Sequence, residues 1–111
     1  MSFTHARSQE VIREAAATFF QRESSGQSLI TVTRVVLSDD LAQGTIFVSV
    51  FPNTYEEKVE AFLNRRRRDL QAYLKKHSKL VRIPHFTVMV DAGEKNRQNI
   101  ESLSNEDTQA T

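Results

Sequence analysis

Two stretches rich in β-branched residues, about seven residues apart, place the strongest constraint on the fold. Residues 29–37 are LITVTRVVL, and residues 45–51 are TIFVSVF, with Ile46, Val48 and Val50 on one face. Both patterns are typical of strands, because β-branched side chains pack well on a pleated sheet and alternation gives that sheet an apolar face. The residues between them, SDDLAQG, favour a turn, since short side chains with oxygen atoms bond to nearby backbone amides. The pattern therefore predicts an antiparallel β-hairpin.

Helical periodicity flanks this hairpin on both sides. Residues 4–22 repeat apolar side chains at spacings of three and four, which predicts an amphipathic helix. After the hairpin, Thr54 and Glu57 fit a capping box at the start of a second helical segment. Its apolar stripe continues to position 77 but is interrupted at Arg66. This pattern predicts either one long helix, with the Arg66 stem lying along the core, or two helices that meet at a bend.

A third strand is predicted at residues 85–90, where apolar positions alternate after Pro84. In the tail, Ile100 and Leu103 indicate one short helix, and residues 104–111 are expected to be a flexible tail. The order helix, strand, strand, helix with or without a second helix, and strand predicts a single α+β domain. Its helices pack on one face of a three-stranded sheet, and the long helical crossover allows the third strand to pair in parallel. Type II KH domains have this order.

The positive charge of the chain is concentrated in one segment. The formal net charge is only +1, but residues 65–82 hold eight basic residues and one acidic residue. A local excess of cations suits a polyanion such as RNA, although a solvated helix face would also explain it. On one continuous helix, Arg68, Lys75 and Lys79 would share a side, and we rank them with Arg65 and Arg67. The candidate RNA-binding residues are Arg65, Arg66, Arg67, Arg68, Lys75, Lys76, Lys79 and Arg82.

Several classes of function are disfavoured by composition. Cysteine is absent, which excludes disulfides, thiolate metal sites and thiol catalysis. The three histidines lack metal-ligand spacing, and no nucleophile and base can be paired from the sequence. No apolar run is long enough to cross a membrane, and the first residues do not form a signal peptide. We therefore expect a cytoplasmic protein that is not an enzyme and needs no metal or cofactor.

Two blocks of the sequence resemble the ribosome-binding factor A family. Residues 35–49, VVLSDDLAQGTIFVS, are similar to the hairpin signature of that family, and residues 80–91, LVRIPHFTVMVD, are similar to its last strand. The resemblance extends from about residue 6 to residue 103. The chain departs from the family in two places: the loop at residues 24–28 is short, and Arg66, Arg67 and Arg68 replace the small Ala-x-Gly motif at which the family bends its central helices.

The resemblance implies a function and a partner. Residues 1–103 would form a KH-like ribosome-binding domain, and the protein would bind the immature small ribosomal subunit and assist late maturation of its rRNA, as a monomer and without catalysis. The glycines, Gly26, Gly44 and Gly93, cannot form the Gly-x-x-Gly loop with which KH domains clamp nucleotides. Recognition through phosphates and RNA shape is therefore expected. The alternative is a protein–protein interaction module that contacts a ribosomal protein or an assembly GTPase without binding RNA.

Overall fold

The computed structural model describes residues 5–23 and 28–91, which form three α-helices and three strands. The elements are α1 His5–Glu23, β1 Leu29–Leu37, β2 Gln43–Phe51, α2 Glu56–Arg65, α3 Arg67–His77 and β3 His85–Val90, with a short 3-10 helix Asn53–Tyr55 before α2. The predicted order of elements is confirmed, and β1 has the predicted bounds. The tail helix and the flexible tail lie outside the described residues. Within the described ranges, no helix is both long and apolar enough to span a membrane.

The sheet has the order β1-β2-β3 and combines both kinds of pairing. β1 and β2 are antiparallel, whereas β2 and β3 are parallel, as the long helical connection between them allows. Ile46 and Val48 are fully buried on the face that the helices cover, with α1 against β1, and α2 and α3 against β3. The predicted α+β architecture, with helices on one face of a three-stranded sheet, is confirmed.

A β-bulge in β1 ties the three strands together. The register shifts between Val32 and Arg34, which leaves Thr33 as the extra residue. The Thr33 hydroxyl lies 3.2 Å from the backbone oxygen of Phe47 and 2.5 Å from the carboxylate of Asp91, to which it donates. Asp91 is buried just after β3, and its amide donates to the carbonyl of Val48 at 2.8 Å. One polar cluster therefore links β1, β2 and the end of β3.

The predicted capping box at the start of α2 is wrong. The 3-10 helix closes with a hydrogen bond from the Tyr55 amide to the Pro52 carbonyl at 3.1 Å, so Thr54 lies inside this turn. α2 begins only at Glu56, and its cap residue, Tyr55, makes no side-chain hydrogen bond to the helix. Thr54 and Glu57 therefore do not have the positions that a capping box requires.

The helical segment bends at Arg66. Of the two predicted alternatives, two helices that meet at a bend is therefore confirmed, and one long helix is wrong. Arg66 has φ −98° and ψ 5°, outside the helical region, and its amide donates to the carbonyl of Leu63 at 3.0 Å. The helical pattern restarts with the bond from the Leu70 amide to the Arg66 carbonyl at 3.0 Å. α2 and α3 are therefore two helices that meet at one residue.

Candidate nucleic-acid interface

Arg66 is bound within the protein at the junction of three helices. Its guanidinium lies 2.6 Å from a Glu23 carboxylate oxygen at the end of α1, and 3.1 Å from a carboxylate oxygen of Asp69 in α3. The ion pair with Glu23 connects the helix junction to α1, and the pair with Asp69 lies within the start of α3. Of the predicted RNA-binding residues, Arg66 is therefore the one that the structure places in an internal ion-pair network.

Three other arginines converge on the outer side of the same junction. Arg65, Arg67 and Arg68 are exposed and, with Asn64, line a cavity of about 360 Å³. Arg67 donates to the Asn64 carbonyl at 3.2 Å, which fixes its guanidinium near the end of α2. Cationic side chains around one exposed cavity form an arrangement that suits an anion.

Polar side chains of the helices cover the free edge of β3 next to this cavity. Asn64 accepts from the Val88 amide at 2.9 Å and donates to the Val88 carbonyl at 2.9 Å, as a neighbouring strand would. Gln71 donates to the Pro84 carbonyl at 2.7 Å, and Glu60 accepts from the Val90 amide at 2.9 Å. The helices therefore occupy most of the hydrogen-bonding groups of this sheet edge.

Phe86 is the gap in this cover. His85 and Asp91 donate to the β2 side, so alternate residues of β3 face β2 and the residues between them, including Phe86, face outward. No hydrogen bond from the described residues reaches the outward amide and carbonyl of Phe86. Phe86 is itself only 3% exposed. It is one of the residues that line a second cavity of about 390 Å³, together with Gln43, Arg67, Arg68, Gln71, His85 and Thr87. Cations and polar side chains therefore lie side by side, a combination that suits a phosphate together with a polar base edge.

The remaining candidate cations lie apart from the helix junction. Lys75 and Lys76 are exposed in the last turn of α3, an eleven-residue helix and therefore about 16 Å long. The prediction that Lys79 shares a helix face with Arg68 is wrong, because α3 ends at His77 and Ser78 is extended. The Ser78 amide and hydroxyl both bond to the Leu74 carbonyl, at 2.9 and 2.7 Å, and this closes the helix.

Arg82 lies in the loop before β3, on the side of the hairpin turn. The Ser38 hydroxyl and then the Ala42 amide, which both donate to Asp40, hold the pKa of that carboxyl below its usual range, and the charge of Arg82 lowers it further. The turn is therefore closed by Asp40, as its sequence predicts. Of the eight candidates, the structure brings together Arg65, Arg67 and Arg68.

Comparison with known proteins identifies the family. The family model of ribosome-binding factor A matches residues 4–104. The chain belongs to this family. It is 36% identical over 64 residues to ribosome-binding factor A of Carboxydothermus hydrogenoformans, a region covering 56% of this chain and 50% of that protein. The chain thus spans about half the length of the curated relative that it matches.

Solved structures of the ribosome-binding factor A family have the same fold. The crystal structure of the Thermus thermophilus protein superposes with a TM-score of 0.70 at 26% identity, covering 78% of this chain and 94% of that one. A homology model of the Thermus thermophilus protein, fitted into the cryo-EM map of a 30S–RbfA complex, gives a TM-score of 0.63 at 28% identity, covering 71% and 86%. The KH-like fold class of the family is therefore shown for this chain.

Sequence reasoning missed the uncharged side chains that line the candidate site beside the arginines. Asn64 and Gln71 each follow a buried leucine by one position and are seven residues apart, a spacing that places both on the margin of the apolar stripe. This spacing was the available signal. Metal binding has no support in the part of the chain that the structure describes, where no group of three or more His, Asp or Glu side chains could hold an ion.

Proposed function

We propose that this chain is a ribosome assembly factor that binds the immature small ribosomal subunit and assists late maturation of its rRNA. The observation that carries the proposal is the convergence of Arg65, Arg67 and Arg68 at the α2–α3 junction. A relative of known structure has been fitted into a 30S complex, which supports the small subunit as the partner. The proposed activity is binding rather than catalysis, by a monomer in the cytoplasm.

The arginine site favours phosphate contacts. Arg65, Arg67 and Arg68 present three exposed guanidinium groups, and each phosphate that they neutralise releases condensed counterions. We assign Arg66 the separate role of holding the junction, since both of its ion pairs are internal. Lys75, Lys76, Lys79 and Arg82 are exposed and contribute to the positive field over a wider area.

The second cavity extends the arginine site towards β3. Polar side chains of Gln43, Gln71 and His85 line it together with Arg67 and Arg68. A phosphate on the arginines would place the attached nucleotide next to these polar side chains.

Co-sedimentation with purified small subunits tests the proposal. The variant Arg65→Ala/Arg67→Ala/Arg68→Ala is expected to bind immature subunits at least tenfold more weakly than the native protein. The matched control, Lys75→Ala/Lys76→Ala/Lys79→Ala, loses the same charge away from the junction and should lose clearly less affinity. Equal losses of affinity in the two variants would reject the localised site. If both variants bind as tightly as the native protein, RNA contact through these cations is rejected.

A further inference from the structure

The two outer edges of the sheet are protected to different extents. Exposed backbone groups on an edge strand invite pairing with another chain, and proteins usually cover them. On β3 the side chains of α2 and α3 provide this cover. On β1, Gln9 donates to the Val35 carbonyl at 3.1 Å and the His5 ring lies 3.1 Å from the Ser38 carbonyl oxygen. α1 therefore protects the second half of the β1 edge.

The first half of the β1 edge has no such cover from the described residues. Even-numbered residues of β2 bond to β3, as the bonds to the Ala42 and Val48 carbonyls show, so odd-numbered residues bond to β1. Leu29 and Thr31 pair with odd-numbered residues of β2, which directs the backbone groups of Ile30 and Val32 outward. Two amides and two carbonyls therefore lie on an open edge.

A groove runs along this open edge. It has a volume of about 330 Å³ and lies between α1 and the first part of β1, with Arg13, Ala17, Gln21 and residues 28–32 as its lining. Beside it, on the face of the sheet away from the helices, Leu29 and Phe51 are directly paired across the strands and are 66% and 72% exposed. Two large apolar side chains thus stand next to unpaired strand groups.

The chemistry of the groove selects a protein strand over RNA. Outward groups of one strand repeat about every 6.8 Å, which is the repeat of an extended polypeptide. Among the described residues of the lining, Arg13 is the one that carries a charge, and Glu10 pairs with it at 2.6 Å. These residues leave the groove close to neutral, so they do not attract a polyanion. Leu29 and Phe51 instead match apolar side chains.

We propose that residues 29–32 of β1 accept an extended, uncharged segment of a partner protein as a fourth strand, whose apolar side chains cover Leu29 and Phe51. The arginine site borders β3, at the opposite edge of the sheet. RNA and a protein strand could therefore be bound at the same time, and the proposal does not depend on the function of the arginine site.

Backbone NMR of the labelled full-length chain tests this proposal with a synthetic strand as the probe. The probe is an acetylated and amidated peptide, KTVTVTVTK. It should shift the Ile30 and Val32 amides and slow their hydrogen exchange, while the Val88 amide, already bonded to Asn64, stays unchanged. The same peptide N-methylated at four consecutive central residues keeps its side chains but loses edge donors, and it should have no effect.

Variants of the exposed apolar pair provide the second readout. Leu29→Thr/Phe51→Thr should weaken peptide binding at least tenfold and change the thermal unfolding midpoint only slightly, because the two side chains are 66% and 72% exposed and threonine is a good strand former without charge. The proposal is overturned if the peptide leaves Ile30 and Val32 unaffected, or if its N-methylated form acts equally well. Slow hydrogen exchange of these amides in the protein without peptide would also overturn the proposal. If the slow exchange depends on protein concentration, a second copy of the chain occupies the edge. If it does not, this chain itself covers the edge.

Discussion

Replacing Asn64 by alanine removes one of the two α2 side chains that bond to the edge of β3. Asn64 makes three hydrogen bonds of 2.9 Å, two with the backbone of Val88 and one with the carbonyl of Glu60. A typical hydrogen bond contributes about 0.5–1.5 kcal/mol net, and a partly buried group left without a partner adds its desolvation cost. Since Val88 is buried, with 1% exposure, its amide and carbonyl would lose their partner, and we expect a loss of about 2–3 kcal/mol in the free energy of unfolding.

The assay is urea unfolding followed by circular dichroism, with Lys58→Ala as the control on the same helix. Lys58 is exposed and makes no hydrogen bond to the described residues, so its replacement should change stability by less than about 0.5 kcal/mol. In thermal unfolding, a loss of this size should lower the midpoint temperature of the Asn64 variant by about 10–20 °C for a domain of this length. Its Val88 amide should also exchange faster than other β3 amides. A loss below about 1 kcal/mol, or a loss equal to that of the control, would refute the assignment of Asn64 as a strand substitute.

Three further predictions concern single positions. A Cβ at Gly44 would lie 2.9 Å from a Leu37 methyl and 3.3 Å from the Phe86 ring. Gly44→Ala should therefore lower the free energy of unfolding, measured by chemical denaturation, by about 1–3 kcal/mol. An unchanged midpoint would show that these side chains move aside to accept the methyl group. Because the pKa of Asp40 is lowered in the fold, its support of the turn is present above the unfolded value of about 3.8 and is lost as pH falls through the folded value. The Ala42 amide shift should therefore titrate in this acidic range in the native protein and stay flat in Asp40→Asn. Arg66→Ala should lower the unfolding midpoint but leave the affinity for small subunits within a few fold of the native value. In a double-mutant cycle with Glu23→Ala, the two stability losses should not add, and full additivity would argue against the ion pair between Arg66 and Glu23.

The hairpin could be predicted because its determinants are local. β-Branched residues and alternation mark β1 and β2, and the turn is closed by Asp40 within the same short segment. The bulge at Thr33 could not be predicted in this way, because its hydroxyl bonds to Asp91, 58 residues further along the chain. The sequence around Thr33 is that of an ordinary strand.

The helix junction shows the same division between local and distant causes. Four consecutive arginines are good helix formers, so local propensity favours a continuous helix. The bend is supported by the ion pair between Arg66 and Glu23, which is distant in sequence and lies at the end of α1. Periodicity indicated an irregularity at Arg66 but could not choose between the alternatives.

The four arginines have different roles because of the bend at that junction, and these roles could not be predicted from charge alone. A run of identical residues gives each one the same expected role. The bend instead places Arg66, which is partly exposed, against two carboxylates and leaves Arg65, Arg67 and Arg68 around an exposed cavity. Charge patterning thus located the segment, and the backbone geometry separated its structural residue from its candidate binding residues.

The dependence of small-subunit binding on salt tests the central claim most directly. The dissociation constant for immature small subunits should be measured over a series of salt concentrations for the native protein and for Arg65→Ala/Arg67→Ala/Arg68→Ala. Since each phosphate contact contributes about 0.7–0.9 to the slope of log affinity against log salt, the variant should have a slope shallower by about 2–3. Equal slopes for the two proteins would contradict the claim that these three arginines bind the rRNA backbone.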